Sequence, residues 1–178
     1  MRTIEIATLN PPAAALAAEV RRAGLTLAVA ESCTGGLLSA VLTAVPGASE
    51  WFLGGVIAYA NALKRDLLEV SADVLVNPGA VSAETAGAMA AGVRRRCGAD
   101  LGLGITGIAG PGGGTPHKPV GTVFLGVASD RGVQVEALAL HGGRDAIRLD
   151  ACTRALALLR ATLQAQSIQP PPKTSSPA

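Results

Sequence analysis

Aromatic side chains are scarce in this sequence, which holds one tryptophan, one tyrosine and two phenylalanines among 178 residues. Proteins that bind single-stranded nucleic acids stack bases on such rings, and few are available here. The formal net charge is only +2, and no long basic stripe runs along the chain. The one dense cationic run, Arg94 to Arg96, falls late in a predicted helix, where cations suit the helix dipole. We therefore expect no nucleic-acid partner.

Cysteine and histidine are also few. The three cysteines, Cys33, Cys97 and Cys152, are odd in number, widely spaced and free of any C-x-x-C pair. Such a pattern argues against a disulfide framework and favours a reducing compartment. The two histidines, His117 and His141, have no partner at a spacing typical of metal ligands. We therefore expect no metal site.

Long apolar runs are missing as well, and none approaches the length that spans a bilayer. Glu5 interrupts the short apolar stretch at the start of the chain, which does not resemble a signal peptide. We therefore expect a cytoplasmic protein with no membrane contact. Small aliphatic residues and glycine are abundant instead, and hydrophobic residues make up 49% of the chain. That content is enough for one domain whose helices and strands approach closely.

Strand-like and helical segments alternate along the chain and predict a single α/β domain, a mixed β-sheet with helices packed on its faces. Asn61 and Ser82 are predicted to be helix N-caps. The last two strands are separated by residues 130–132 and predict a hairpin. The domain is predicted to span residues 1–166, and the proline-rich residues 167–178 are predicted to be a disordered tail. The predicted helices cover residues 11–23, 36–45, 62–70, 83–97 and 144–165, and the predicted strands cover residues 25–30, 51–60, 101–105, 122–129 and 133–140.

Ser32 follows the first predicted strand, at the sheet edge where ligands bind in open α/β sheets. Gly35 and Gly36 allow close backbone approach, and the next helix begins with unpaired N–H groups. A serine here could attack a carbonyl while these amides stabilise the oxyanion. The alternative is an ordinary N-cap, a role that serine favours. The G-x-S-x-G nucleophile elbow of many serine hydrolases is absent. Cys33 is either a rival nucleophile or a core side chain.

Lys64 lies in the first turn of a predicted helix, next to Arg65. The positive end of the helix dipole and the neighbouring charge both favour a neutral lysine, which is a competent general base. An exposed, charged lysine is the alternative. No histidine lies near Ser32 in the sequence, so Lys64 is a better candidate base than the histidine of a Ser-His-Asp triad. Tyr59, the only tyrosine, either contacts a catalytic group or is a half-buried strand residue.

Residues 104–121 form a glycine-rich and proline-rich segment, predicted to be largely a loop. Its many backbone N–H groups are typical of anion cradles, although a merely flexible loop remains open. The segment is not a P-loop, because no Gly-Lys-Ser/Thr occurs. Gly102, Gly104 and Gly107 match G-x-G-x-x-G formally. We reject a dinucleotide site, because the first two lie inside a predicted strand and no helix follows the third.

Arg144 and Arg148 lie near the start of the last predicted helix. Two cations at a helix N-terminus are expected if an anion binds there. Arg148 could instead pair with Asp145 three residues earlier.

Several segments together resemble one family, the C-terminal domain of the competence/damage-inducible protein CinA. The resemblance covers residues 11 to about 165, and the motifs occur in the same order. The matching segments are Ala30-Glu-Ser-Cys-Thr-Gly-Gly36, Tyr59-Ala-Asn61 with Lys64, Ala80-Val-Ser82, Gly104-Ile-Thr-Gly-Ile-Ala-Gly-Pro-Gly-Gly113 and Lys118-Pro-Val-Gly121.

Stand-alone members of this family include nicotinamide mononucleotide deamidases. The resemblance implies hydrolysis of nicotinamide mononucleotide to nicotinate mononucleotide and ammonia, in pyridine-nucleotide recycling. It implies a Ser/Lys acyl-enzyme mechanism, with Ser32 as nucleophile, Lys64 as base and Tyr59 in support. It implies no cofactor, and a homodimer or higher homo-oligomer. The implied substrate contacts are Glu31, Thr34, Gly35, Gly36, Ser49, Asn61, Thr106, Gly107, Gly110, Gly112 and, for the phosphate, Arg148.

The sequence departs from the family pattern at two positions. Gly143 stands where the family leads us to expect aspartate, and His117 stands where an acidic residue is common. The first departure bears on how Arg144 or Arg148 is held. The separate N-terminal domain of full-length CinA is also not expected. Two other functions stay open: a non-catalytic nucleotide-binding or regulatory module, and an amidase for another small amide.

Overall fold

Five strands form one mixed sheet in the computed structural model, which describes residues 6 to 168. The spatial order of the strands is β2-β1-β3-β4-β5. The first three strands are parallel, whereas β4 is antiparallel to β3 and β5 is antiparallel to β4. The expected α/β class with one mixed sheet is confirmed. The strands are β1 (Leu27–Glu31), β2 (Phe52–Ile57), β3 (Leu101–Gly107), β4 (Thr122–Ser129) and β5 (Gly132–Ala139).

The helices cover both faces of this sheet and enclose two separate clusters of buried side chains. The larger cluster lies between the sheet and α1, α2 and α6, and the smaller one lies under α3 and α5. No helix within residues 6 to 168 is both long enough and apolar enough to cross a membrane. The helices are α1 (Asn10–Ala23), α2 (Leu37–Thr43), α3 (Asn61–Leu68), α4 (Ala72–Val74), α5 (Ala83–Cys97) and α6 (Arg144–Ile168), with 3₁₀ turns at Ile6–Leu9 and Ala48–Glu50 and a π-helical turn at Leu75–Gly79.

Strand β1 shows why the sheet separates two cores. Successive side chains of a strand point to opposite faces. Leu27 and Val29 belong to the larger cluster, whereas Ala28 and Ala30 belong to the smaller one. The bulky residues therefore lie on the side of α1 and α6, and only small residues lie on the side of α5.

Helix α5 lies very close to the sheet. A Cβ atom placed on Gly102, Gly104 or Gly126 would collide with the backbone of the helix, at the carbonyls of Ala86 or Ala90. Only glycine fits where two backbones approach in this way. The presence of glycine at these three positions of β3 and β4 follows from this packing. Gly102 and Gly104 lie inside β3 as expected, with no helix after Gly107.

Most elements were predicted, with shifted ends. Ser82 is an N-cap as predicted, and its Oγ accepts a hydrogen bond of 3.1 Å from the Thr85 amide. The prediction for Asn61 was wrong: Ala60 occupies the N-cap position without a side-chain cap, and Asn61 is the first helical residue. Helix α6 continues to Ile168, beyond its predicted end. The rest of the predicted tail, residues 169–178, lies outside the described residues.

Replacing Gly126 by alanine should lower the free energy of unfolding by about 1–3 kcal/mol, because the added methyl group meets backbone atoms of α5 that cannot move aside. Urea denaturation of the purified variant measures this loss. Gly143→Ala is the matched control, because a Cβ atom at that position meets open space. Equal stability of the two variants would show that the helix can shift away from the sheet.

Candidate active site

A cavity of about 220 Å³ opens at the edge of the sheet where β1, β2 and β3 end. These strands are parallel, and Glu31 of β1 is in register with Ile57 of β2 and Ile105 of β3. The residues that follow the three strands therefore meet at one place. Six of the predicted site residues line the cavity: Ser32, Tyr59, Asn61, Lys64, Thr106 and Gly107.

Lys64 is 2% exposed. Its Nζ donates hydrogen bonds of 2.8 Å to the Ala58 carbonyl and 3.1 Å to the Tyr59 carbonyl. No carboxylate lies within 4.0 Å of this nitrogen in the described part of the chain. Burial lowers the pKa of Lys64 below its usual range, because the charged ammonium loses water. A neutral amine has two N–H bonds for the two carbonyls and one lone pair left to accept a proton.

Ser32 is 8% exposed and lines the same cavity. Its backbone N–H donates a 3.0 Å hydrogen bond to the Ile105 carbonyl, which fixes the residue against β3. Its hydroxyl makes no hydrogen bond within residues 6 to 168, so it has no competing partner there. The hydroxyl and the Lys64 amine are not directly bonded, and catalytic contacts of this kind often tighten only with substrate.

The turn after β1 uses the amides of Gly35 and Gly36, two of the predicted substrate contacts, for its own hydrogen bonds. The Gly35 N–H donates to the Ser32 carbonyl at 3.1 Å, and the Gly36 N–H donates to the Glu31 carboxylate at 3.0 Å. Neither glycine lines the cavity. Within the described residues, two amides of the turn have no acceptor: those of Cys33 and Thr34.

Cys33 also lines the cavity. Burial raises the pKa of its thiol to about 11, and the nearby Glu31 carboxylate acts in the same direction. The thiolate is the reactive form of cysteine, so this environment disfavours Cys33 as the nucleophile. No cluster of three or more potential metal ligands is present in residues 6 to 168.

Two predicted contacts lie away from the cavity. Glu31 is fully buried, and both of its carboxylate oxygens accept hydrogen bonds from residues at the start of α2. Ser49 is exposed in the turn that precedes β2. The start of β2 lies beside the start of β1, since the Leu27 amide donates to the Trp51 carbonyl. Ser49 is therefore at the opposite edge of the sheet, and neither residue is placed to contact a substrate in the cavity.

Arg148 forms a hydrogen bond to the turn after β1 and does not line the cavity. Its Nη2 donates a 2.9 Å hydrogen bond to the Thr34 carbonyl, and its Nη1 lies 3.5 Å from the Asp145 carboxylate. The alternative pairing with Asp145 is therefore present. The side chain of Thr34 is fully buried, so this residue also lacks contact with the cavity.

Arg144 lines the cavity, whereas the family resemblance implied Arg148 as the phosphate contact. Its Nη1 donates a 2.6 Å hydrogen bond to the Gly110 carbonyl, and its Nη2 donates a 3.1 Å bond to the Tyr59 hydroxyl. No carboxylate lies within 4.0 Å of its guanidinium in the part of the chain that is described. The two arginines share a helix face one turn apart, and spacing alone does not distinguish them.

The glycine-rich loop reaches the cavity only through its first residues. Thr106 is 1% exposed, and its hydroxyl donates a 2.6 Å hydrogen bond to the Ala80 carbonyl, which also lines the cavity. Gly110 is buried and contributes its carbonyl to Arg144, whereas Gly112 is exposed and away from the cavity. The sequence did not single out Ala80 as a contact, although it lies in one of the matching motifs.

The family model of the CinA C-terminal domain matches residues 9–163. The chain belongs to this family. A CinA-like protein from Synechococcus sp. (strain CC9311) is 57% identical over 142 residues, which cover 79% of this chain and 34% of that protein. A CinA-like protein from Myxococcus xanthus (strain DK1622) is 51% identical over 160 residues, covering 89% of this chain and 38% of that protein. The chain thus spans little more than a third of the length of these curated relatives.

Solved structures of CinA-family proteins share the fold. The competence/damage inducible protein CihA from Agrobacterium tumefaciens has a TM-score of 0.84 at 39% identity, covering 88% of this chain and 95% of that one. A CinA superfamily protein from Klebsiella pneumoniae has a TM-score of 0.85 at 30% identity, covering 88% of this chain and 98% of that one. The described domain therefore covers nearly the whole of these two solved chains.

Substituting Lys64 should change how the stability of this CinA-family domain depends on pH. The folded pKa of Lys64 lies below its value of 10.5 in the unfolded chain, so between these two values the unfolded chain binds more protons. The free energy of unfolding of the wild type should therefore rise with pH relative to Lys64→Met. Denaturation of both proteins from about pH 7 to about pH 10 measures the difference. A difference that stays constant would show that Lys64 titrates normally.

Proposed function

We propose that this chain is an amidohydrolase that converts nicotinamide mononucleotide to nicotinate mononucleotide and ammonia. The observation that carries the proposal is the buried Lys64 amine, which has no carboxylate partner within residues 6 to 168. It shares a cavity with the Ser32 hydroxyl, which makes no hydrogen bond in that same range. A protein that only binds a nucleotide has no need for an uncharged lysine beside a serine. A protein that must generate an alkoxide near neutral pH does need such a base.

In the proposed mechanism, Lys64 takes the proton of the Ser32 hydroxyl as Oγ forms a bond to the carboxamide carbon. The amide of Cys33, a residue that lines the cavity, is the donor available to the oxyanion. Collapse of the tetrahedral intermediate breaks the C–N bond, and Lys64 returns the proton to the departing ammonia. Water then attacks the acyl-enzyme, again with Lys64 as base, and releases the carboxylate. The cationic pyridinium ring of the substrate withdraws electrons and favours both attacks.

The cavity suits the reacting end of a small anionic substrate. Its volume of about 220 Å³ is below the roughly 300–1,000 Å³ of pockets that enclose whole ligands, so part of the substrate would extend beyond it. Arg144 and Tyr59 form the exposed side of the wall, and Tyr59 is 58% exposed. An uncompensated guanidinium at that point suits a phosphate group.

Ammonia release from nicotinamide mononucleotide tests the proposal. Wild type should release ammonia, and Ser32→Ala and Lys64→Met should each lose at least roughly 10³-fold in kcat/KM, because each removes one half of the Ser/Lys pair. The wild-type rate should rise with pH along a limb that reflects the lowered pKa of Lys64, because only the neutral amine is a base. Arg65→Met is the matched control, since it removes an exposed cation next to Lys64 that pairs with the neighbouring Asp66.

A well-folded wild type that binds the nucleotide but releases no ammonia would favour a non-catalytic nucleotide-binding or regulatory module. Calorimetric titration with nicotinamide mononucleotide distinguishes that outcome from an amidase for another small amide, which would neither bind nor cleave this nucleotide.

Phosphate recognition should depend on Arg144 more than on Arg148. Arg144→Gln should raise KM for nicotinamide mononucleotide by about 10- to 100-fold, the value of one charge-assisted hydrogen bond, and should leave phosphate-free nicotinamide riboside nearly unaffected. Arg148→Gln should slow the hydrolysis of both substrates equally, because it removes a hydrogen bond to the turn that carries Ser32. Steady-state kinetics with the two substrates measure both effects. If only Arg148→Gln raised KM for the mononucleotide and left the riboside unaffected, Arg148 would be the phosphate contact, as the family resemblance implied.

A further inference from the structure

Glu31 precedes the proposed nucleophile directly, yet its side chain lies on the other side of the backbone from the cavity. It is 0% exposed. Its Oε2 accepts hydrogen bonds from the amides of Gly36 at 3.0 Å and Leu38 at 3.1 Å. Its Oε1 accepts from the amide of Ser39 at 2.8 Å and from the Ser39 hydroxyl at 2.6 Å. Both oxygens of this buried carboxylate therefore have protein partners.

These four hydrogen bonds close a ring around the turn that carries Ser32. The carboxylate belongs to the residue before the turn, and its partners lie at the end of the turn and in the first residues of α2. Gly35 and Gly36 within the turn have φ angles of 60° and 91°, in the left-handed region that glycine adopts readily. Because glycine is conformationally permissive, contacts from the surroundings must hold the turn in one conformation, and the Glu31 carboxylate joins its two ends.

The same hydrogen bonds determine which amides stay available. Glu31 takes the Gly36 amide, which would otherwise be among the unpaired N–H groups near the start of α2. The Gly35 amide is bonded to the Ser32 carbonyl. Within residues 6 to 168, the amides of the turn that have no acceptor in another residue are then those of Cys33 and Thr34, and of these two residues only Cys33 lines the cavity.

We infer that Glu31 is a positioning residue for catalysis: its carboxylate holds the Ser32 hydroxyl and the Cys33 amide in the arrangement that attack on a carbonyl requires. This inference rests on the proposed role of Ser32 as nucleophile. Glu31 touches neither substrate nor reacting atoms and acts only through the turn. Its loss should therefore slow formation of the tetrahedral intermediate and should leave the binding of the substrate almost unchanged.

A fluorophosphonate probe measures this role without any assumption about the natural substrate. Ser32 Oγ attacks phosphorus, a P–O bond forms, fluoride leaves, and the hydroxyl proton passes to Lys64. Mass spectrometry of the full chain gives the rate of this adduct at Ser32. Glu31→Gln keeps the size of the side chain but replaces one acceptor oxygen by an NH₂ group, which faces donors. Labelling should slow on the order of 10²-fold, as when an oxyanion donor is lost.

Two further variants separate positioning from general stability. Ser39→Ala removes one of the four hydrogen bonds and should slow labelling less than Glu31→Gln. Glu19→Gln weakens the carboxylate pair with Arg160 between α1 and α6, which makes no hydrogen bond to the turn within residues 6 to 168, and should label at the wild-type rate. Thermal melting followed by circular dichroism gives the stability of each variant. The inference is supported if Glu31→Gln is labelled more slowly than wild type while its melting temperature is no lower than that of Glu19→Gln.

Labelling of folded Glu31→Gln at the wild-type rate would overturn the inference. If Glu31→Gln does not fold, Ser39→Ala decides: slower labelling with an unchanged melting temperature supports positioning, and unchanged labelling overturns it. Failure of the substrate assignment is seen separately, as rapid labelling of Ser32 in a wild type that releases no ammonia from nicotinamide mononucleotide. If that substrate is cleaved, Glu31→Gln should lower kcat with little change in KM.

Discussion

The close approach of helix α5 to the sheet is the constraint on which the rest of this domain depends. The approach requires positions without a Cβ atom in β3 and β4, and Gly104 and Gly126 provide them. It also places the start of α5, with its Ser82 cap, beside the end of β3. The Thr106 hydroxyl then bonds the Ala80 carbonyl just before the helix, and one wall of the cavity is closed. The glycines of β3 and β4 that face α5 and the position of the site thus have one physical origin.

The elements, and the presence of Ser32 and Lys64 at one cavity, could be predicted from the sequence because each rests on a local signal. Ser32, Tyr59 and Thr106 each follow or end a predicted strand, and parallel strands bring such residues to one edge of the sheet. Lys64 lies in the first turn after that edge, where both the helix dipole and burial disfavour its charge. These arguments need only the order of the elements, not their packing.

The contacts that could not be predicted depend on tertiary packing. Arg144 and Arg148 share one helix face, and only the position of α6 decides which guanidinium reaches the cavity. Asn61 has the residue type of an N-cap, but Ala60 holds that place because the helix starts one residue earlier than the composition suggests. For Glu31 a signal existed: neighbouring residues of a strand point to opposite faces, so a carboxylate directly before a cavity-facing Ser32 must point away.

The single tryptophan and the single tyrosine of this chain lie in very different surroundings. Trp51 is fully buried in the larger core, whereas Tyr59 is largely exposed at the cavity and accepts a hydrogen bond from Arg144. The two chromophores therefore report on separate parts of the molecule. Indole fluorescence follows the packing of α1, α2 and α6 against the sheet, and the ultraviolet absorption of the phenol senses what occupies the mouth of the site. The native protein thus carries its own optical probes of folding and of ligand entry, without any added label.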